Sequence, residues 1–166
     1  MRMDLIQPFI NAEDAVFAES LQGPTKIGDL SMEEGAYRRK GIAAVIAIKG
    51  DIEGRIILDL APEVARKVAA ILTGGDDADE QVARETVCEL ANMVIGNSVT
   101  LLNDQGYTFK VFPPEIHTSD EGLAGSQDTE AMVLAIETTC GNIFLNIAMH
   151  HLARRRRERD LAPVAR

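Results

Sequence analysis

Four side chains in the middle of the chain are spaced so that they could act together on a bound molecule. They are Glu85, Glu89, Asn92 and Gly96, and separations of four, three and four residues place them side by side on one face of an α-helix. An Asn amide carries one hydrogen-bond acceptor and two donors, so it can orient a water molecule without reacting itself. A carboxylate one turn away can hold a Lys of a partner through a charge-assisted hydrogen bond. The spacing therefore indicates a site that positions other groups.

A long helix over residues 79–103 is predicted to carry these side chains. At about 100° per residue the opposite face is mostly apolar, and it consists of Val87, Leu90, Val94, Ser98 and Leu101. No Lys or Arg occurs between Glu85 and Asn103, so the carboxylates lack a cation within this stretch of their own helix. In a helix interior Asn92 costs up to ~0.7 kcal/mol and Gly96 ~1 kcal/mol relative to Ala. An ordinary solvated helix face also fits the spacing and is the commoner occurrence, but it leaves these two unfavourable residues unexplained.

The order of motifs along the chain resembles that of the CheC/CheX/FliY family of chemotaxis phosphatases. Glu89-Leu-Ala-Asn92 is similar to the Glu-x-x-Asn signature of that family. The likeness covers nearly the whole chain, and its other parts are the Pro-Phe opening at residues 8–9, the Gly-Asp turn at residues 50–51, the helix that begins at Pro62, and Met93, Gly96 and Asn97 after the signature. Only the second half of the chain carries Glu-x-x-Asn, so the likeness is closest to the CheX branch rather than to members with two such sites.

This resemblance implies a hydrolase that removes the phosphoryl group from the phosphoaspartate of a CheY-type response regulator, in chemotaxis or a related two-component pathway. Asn92 and Glu89 would be the catalytic pair. Asn92 would orient the attacking water, a large part of phosphoryl-transfer catalysis, and Glu89 would bind the receiver's Lys. Glu85 and Gly96 would belong to the partner-binding surface. The Mg²⁺ belongs to the receiver, so the resemblance implies no metal ligands and no cofactor of this chain, and it also implies a homodimer.

The chain departs from the family pattern in two places. The family usually has Asp or Ser four residues before its Glu, whereas this chain has Glu85, which preserves the charge of an acid. The pattern also has a Pro some twenty-three residues after its Asn. Position 115 is Glu here, and Pro114 comes one residue early. A one-residue deletion in this turn would shift the strand that follows it.

Periodicity and turn residues predict an α+β fold, with helices packed on one face of a largely antiparallel sheet and two similar halves. The first helix is expected over residues 5–21, with Pro8 in its first turn. A second helix is expected from Pro62 to Gly74, with one apolar face consisting of Val64, Val68, Ile71 and Leu72. The predicted strands are residues 25–32, 41–49, 53–60, 107–112, 131–137 and 143–149, and residues 115–130 are expected to form a mobile loop.

Composition and charge narrow the class of protein. The 166-residue chain has a net charge of −9, although residues 153–166 contain six Arg against one Glu and one Asp. The acidic remainder argues against nucleic-acid binding by the main fold. No apolar run approaches the ~20 residues of a membrane span, the opening does not look like a secretion signal, and Cys88 and Cys140 have no disulfide or metal spacing. We therefore expect a cytoplasmic protein with one domain over residues 1–152 and an Arg-rich tail over residues 153–166.

Other functional patterns are weaker, and one alternative stays open. Gly74-Gly75 is not followed by the Lys-Ser/Thr pair of a nucleotide-binding loop, and His117, His150 and His151 lack the spacing of a zinc site. The Arg-rich tail is typical of a solvated or disordered terminus, and it could also contact an acidic partner or an anionic membrane surface. The alternative function is a non-catalytic adaptor or flagellar-switch-like binding module on the same fold. The mid-helix Asn92 favours the enzyme, because a helix that only docks has no need of it.

Overall fold

An antiparallel sheet of eight strands with three helices on one face makes up the part of the chain that the computed structural model describes, residues 3–34, 37–75, 78–118 and 130–151. The helices are α1 (Met3–Leu21), α2 (Pro62–Thr73) and α3 (Glu80–Asp104). The strands are β1 (Lys26–Ile27), β2 (Ser31–Glu34), β3 (Ile42–Gly50), β4 (Ile52–Leu60), β5 (Phe109–Val111), β6 (Glu115–His117), β7 (Glu130–Thr138) and β8 (Gly141–His151). The predicted α+β layered fold is confirmed.

The sheet contains two β-hairpins that lie next to each other in its centre. Its order is β1-β7-β8-β4-β3-β5, with β2 also paired to β7 and β6 also paired to β3. The hairpins β3–β4 and β7–β8 meet through the long antiparallel pair β4 and β8. The short strands that follow α1 pair with β7, and those that follow α3 pair with β3. Each half of the chain thus consists of a helix, two short strands and a hairpin. The short strands of each half pair with the hairpin of the other half.

The core lies between the helices and this sheet because alternate residues of each strand point to the same face. On β3 the inward residues are Ile42, Ala44, Ile46 and Ile48, and all four are buried. They share one cluster with Phe9 and Phe17 of α1 and Leu90 of α3. Burial of such side chains contributes ~1.5–3 kcal/mol each, so this contact fixes the rotation of α3 about its axis.

The helices that flank the site begin and end where the sequence supplies caps. The Asp79 side chain accepts a hydrogen bond from the backbone N–H of Val82 at 2.9 Å, which is an N-cap on α3. Pro62 begins α2, where its missing N–H costs nothing. Gly74 ends α2 in the left-handed conformation with φ of 71°, which a residue with a Cβ adopts only with strain.

Several predicted elements differ from the structure. The first helix begins at Met3, so Pro8 lies inside it and not in a predicted first turn at residue 5. The predicted strand 25–32 is two strands, β1 and β2, and the predicted strand 107–112 is confined to β5. The prediction of a loop over residues 115–130 was wrong at its beginning, because β6 pairs with β3. Pairing with a distant strand imposes this structure on a segment that has no periodic pattern of its own. The rest of that loop, residues 119–129, lies outside the described residues.

Two predicted helix faces were wrong near their ends. On α3 the prediction buried Leu101, but this side chain is 43% exposed, and its neighbour Leu102 is fully buried instead. On α2 the predicted core residues Ile71 and Leu72 are 47% and 41% exposed. Val68 is buried as predicted, and the other buried residues of α2 are Ala65 and Ala69. Both errors arise because helix periodicity gives a direction for each side chain but does not show where the neighbouring layer ends.

The remaining expectations concern segments or groups outside the core. The Arg-rich tail over residues 153–166 and the predicted boundary at residue 152 lie outside the described residues. Cys88 is half-buried on α3 and Cys140 is buried in the turn between β7 and β8, and both are free thiols. Within the described ranges, no three His, Cys, Asp or Glu side chains converge in an arrangement that could hold a metal ion. None of the described helices is long and apolar enough to cross a membrane.

Candidate functional site

The open face of α3 carries all four residues that the sequence singled out. Glu85, Glu89, Asn92 and Gly96 are exposed, while Val87, Leu90, Val94 and Ser98 on the opposite side are buried. The core contact therefore determines that the four residues face solvent. We call Glu85, Glu89, Asn92 and Gly96 the polar stripe of α3.

The two central side chains of the polar stripe have no partner among the described residues. Glu85 Oε1 accepts a hydrogen bond from Gln81 Nε2 at 3.0 Å. The nearest basic side chain along the helix, Arg84, is already in a 2.8 Å ion pair with Glu80. In the described part of the chain neither Glu89 nor Asn92 makes a side-chain hydrogen bond or ion pair. Their acceptors and donors are therefore available to a molecule that approaches from solvent.

Gly96 leaves open space at one end of the polar stripe. A Cβ built on Gly96 would have no neighbouring atom within 4 Å, apart from the helix backbone itself. The residue does not have a positive φ, so nothing in the described fold requires a glycine here. A glycine in this position keeps its ~1 kcal/mol cost relative to Ala and lets another surface come close to the helix backbone.

The electrostatic character of this surface is acidic. The described helix α3 contains four carboxylates, Glu80, Glu85, Glu89 and Asp104, and one basic residue, Arg84. Arg84 neutralises Glu80, which leaves the centre of the polar stripe with net negative charge. A surface of this kind attracts a cationic group on a partner and speeds its encounter.

The space behind the polar stripe does not form a binding pocket for a small molecule. A void between α3 and the sheet measures about 10 Å³ and is lined only by apolar side chains, including Ala91, Val94 and Ala44. Ligand pockets for small molecules are usually ~300–1,000 Å³. The polar stripe is an exposed helix face, and such a surface suits a group presented by another macromolecule.

Sequence reasoning missed two features of the helices. Met93 is 43% exposed beside Asn92, and the sequence analysis named it only as part of the family motif. Glu13 of α1 is fully buried, and neither of its carboxyl oxygens has a hydrogen-bond partner among the residues that the structure describes. Burial raises the pKa of Glu13 well above its ordinary value, and the neighbouring Asp14 raises it further. The signal was available for Glu13, because it lies three and four residues from the apolar Ile10, Phe9, Val16 and Phe17.

Fold and site together define a class of protein: a two-half α+β domain with an exposed amide and an exposed carboxylate on one helix, neither of which has a side-chain partner among the described residues. Residues 42–137, more than half of the chain and the whole of α3, match the family model described as "Chemotaxis phosphatase CheX". The chain belongs to the CheX family.

Individual proteins resemble this chain in sequence or in fold. A 77-residue segment is 31% identical to a Thermotoga maritima protein named CheY-P phosphatase CheX, covering 45% of this chain and half the length of that curated relative. The structure of a CheC-like superfamily protein from Shewanella sp. PV-4 aligns with a TM-score of 0.78 at 21% identity, over 90% of this chain and 99% of that one. A CheX-CheY-BeF3-Mg²⁺ complex from Borrelia burgdorferi aligns with a TM-score of 0.69 at 28% identity, over 90% of this chain and all of that one.

Proposed function

We propose that this protein is a phosphatase that hydrolyses the phosphoaspartate of a CheY-type response regulator. One observation carries the proposal: Glu89 and Asn92 are exposed on the open face of α3 and have no side-chain partner among the described residues, in a chain of the CheX family. The Thermotoga relative is named for this activity, and the Borrelia relative is in complex with CheY. The exposure of the site on an open helix face supports a protein substrate.

In this proposal the Asn92 amide holds the attacking water in line with the phosphoryl group. The amide can accept from the water and donate to a phosphoryl oxygen at the same time, because it has one acceptor and two donors. The amide forms no covalent bond, so its contribution is positioning. Well-oriented reactants gain large rate factors from this effect, and water positioning is a recurring part of phosphoryl transfer.

The Glu89 carboxylate binds the ammonium of the receiver's Lys, which brings Asn92 to the phosphoryl group. Glu85 has the same charge but is held by Gln81 at 3.0 Å, so we assign it to the acidic rim of the partner-binding surface. Gly96 belongs to the same surface and admits the receiver backbone to within contact of the helix. The Mg²⁺ is a ligand of the receiver, and this chain supplies no cofactor. Response regulators of this class act in the cytoplasm, which is the location we propose.

A homodimer is also part of this proposal, and the edge of the sheet supports it. The short strand β2 is exposed along its whole length, and edge strands present unpaired backbone groups. Ile27, Leu30 and Met32 add three exposed apolar side chains to this edge. We expect Met32→Lys to produce a monomer. A wild-type protein that sediments as a monomer at tens of micromolar, where dimers of modest affinity persist, would contradict the dimer.

The function is tested with phosphorylated receiver domains from the same genome. We expect the wild-type protein to accelerate dephosphorylation of at least one receiver and Asn92→Ala to abolish that acceleration. Asn11→Ala is the matched control, because Asn11 is an exposed Asn on α1 whose side chain accepts a hydrogen bond only from its own helix, from Gln7 at 2.8 Å. If the wild-type protein binds a phosphorylated receiver without accelerating its dephosphorylation, the adaptor alternative is correct.

A further inference from the structure

A second row of side chains on α3 leaves the polar stripe at Glu89 and continues through Met93 and the exposed Asn97 to Leu101. Met93 follows Glu89 by four residues, and Leu101 follows Met93 by eight, so they lie on one ridge of four-residue steps. Each of these two side chains is 43% exposed. We call Met93 and Leu101 the apolar pair of α3.

Packing within the described fold does not explain why Met93 and Leu101 are apolar. The core position at this end of α3 is occupied by Leu102, which is fully buried, so Leu101 is not needed there. Met93 lies between Asn92 and the buried Val94 and points away from the core. Isolated exposed apolar residues are common on protein surfaces, but these two share a ridge with the free carboxylate Glu89.

The position of the pair also fits what a protein interface requires. From Glu85 to Leu101 the helix rises about 24 Å, which is long enough to span the contact surface of a small domain. A charged rim gives specificity and a fast encounter, whereas most of the affinity comes from a few well-packed anchor residues from which water is excluded. The polar stripe contains no such anchor. Methionine suits this role because its flexible, polarisable side chain adapts to a partner's surface.

We infer that Met93 and Leu101 are the affinity-determining contacts for the receiver domain, which covers them when Glu89 and Asn92 engage its phosphorylation site. This inference rests on the proposed function and assigns a separate task to each row. The polar stripe carries the chemistry and the salt-dependent docking. The apolar pair holds the receiver in place through salt-independent burial.

The test uses the full chain and a CheY-type receiver from the same genome. Met93→Gln and Leu101→Gln replace each side chain with a polar one that is compatible with a helix, and Leu72→Gln is the matched control. Leu72 is an exposed Leu near the end of α2, 41% exposed against 43% for Leu101. For each variant we would measure kcat and KM of dephosphorylation. The dissociation constant for the receiver loaded with beryllofluoride and Mg²⁺ would be measured at low and high salt.

We expect the double variant to raise KM and the dissociation constant about tenfold, with kcat unchanged and with the same factor at both salt concentrations. Leu72→Gln should leave all of these values at the wild-type level, and melting curves should show that every variant is folded. Unchanged affinity of the double variant, or an equal loss in Leu72→Gln, would overturn the inference. If the wild-type protein dephosphorylates no receiver, the proposed function fails. In that case the dissociation constants alone test the role of the apolar pair, and a tenfold loss of affinity in the double variant would support that role.

Discussion

Gly96→Ala should make this protein more stable and less active. The residue lies in the interior of α3 without a positive φ, and a Cβ at this position would meet no neighbouring atom within 4 Å. The added methyl group therefore brings no clash, and the substitution regains the ~1 kcal/mol difference in helix propensity between Gly and Ala. For a chain of this size, such a gain corresponds to a rise in Tm of ~2–4 °C.

Gly74→Ala is the internal control for this measurement. Gly74 also has open space around it, with no atom within 4 Å of a built Cβ, but its φ is +71°. A side chain in this left-handed region costs roughly 1–2 kcal/mol, so Gly74→Ala should lower Tm. The two glycines have similar surroundings and differ in backbone conformation. Opposite shifts of Tm in the two variants would show that conformation alone sets the sign.

The effect of Gly96→Ala on activity shows whether Gly96 contacts the receiver or has no role in binding. If the receiver comes into contact with the helix at Gly96, the added methyl group should raise KM, and a larger side chain in Gly96→Leu should raise it further. Both variants should stay as stable as the wild type or become more stable. Dephosphorylation kinetics and thermal melts on the same samples provide the comparison. A stabilised Gly96→Leu variant with wild-type KM and kcat would refute the assignment of Gly96 to the interface.

Four further predictions concern the catalytic pair, the buried carboxyl and the tail. Asn92→Ala should lower kcat by ~10²-fold or more without changing the dissociation constant for a beryllofluoride-loaded receiver. Glu89→Ala should weaken receiver binding at low salt and have a smaller effect at high salt, where screening has already weakened the wild-type pair. Glu13→Met should raise the free energy of unfolding by ~1–3 kcal/mol at neutral pH, because it removes a buried carboxyl that has no hydrogen-bond partner in the described part of the chain. A chain that ends at residue 152 should keep the melting temperature and the dephosphorylation rate of the full chain. A slower rate would show that the Arg-rich tail contributes to activity.

The pH dependence of Glu13→Met follows from the direction of the pKa shift. Burial raises the pKa of Glu13 in the folded state above its ordinary value of 4.5, so the folded protein holds this proton more tightly than the unfolded chain does. The contribution of Glu13 to stability is therefore fully present below pH ~4.5 and is lost as the pH rises through the raised pKa. The stability gain of Glu13→Met should grow over the same range in chemical denaturation curves. A gain that is constant with pH would mean that Glu13 is already ionised in the folded protein at acidic pH.

The exposed face that carries the candidate site could be predicted from sequence because a single helix carries it. A face is determined by periodicity alone when the helix is long, and α3 has 25 residues with a buried side in its middle turns. The Asp79 cap and Gly106 mark its ends in the sequence. Exposure of Glu89 and Asn92 then follows from local spacing. No long-range contact had to be known.

The parts that could not be predicted depend on contacts between distant segments. Whether Leu101 or Leu102 enters the core depends on where the layer beneath α3 ends, and the two residues are only 100° apart on the helix. The strand β6 exists because its backbone pairs with β3, although its residues show no strand pattern. Glu13 is an exception to the rule that carboxyl side chains face water. Its residue type predicts an exposed position, whereas the periodicity of α1 predicts a buried one.

The two sides of α3 have different roles: the buried side stabilises the fold, and the open side carries the residues that we propose for function. On the buried side Val87, Leu90 and Val94 each contribute ~1.5–3 kcal/mol by burial, and this exceeds the cost of the open side several times. On the open side Asn92 and Gly96 together cost up to ~1.7 kcal/mol relative to Ala, and within the described structure neither forms a contact that returns this cost. A helix under selection for stability alone would carry Ala or a charged helix former at both positions. We propose that the open side meets a requirement from outside this chain, namely a receiver surface that needs both a free amide and an uncovered backbone.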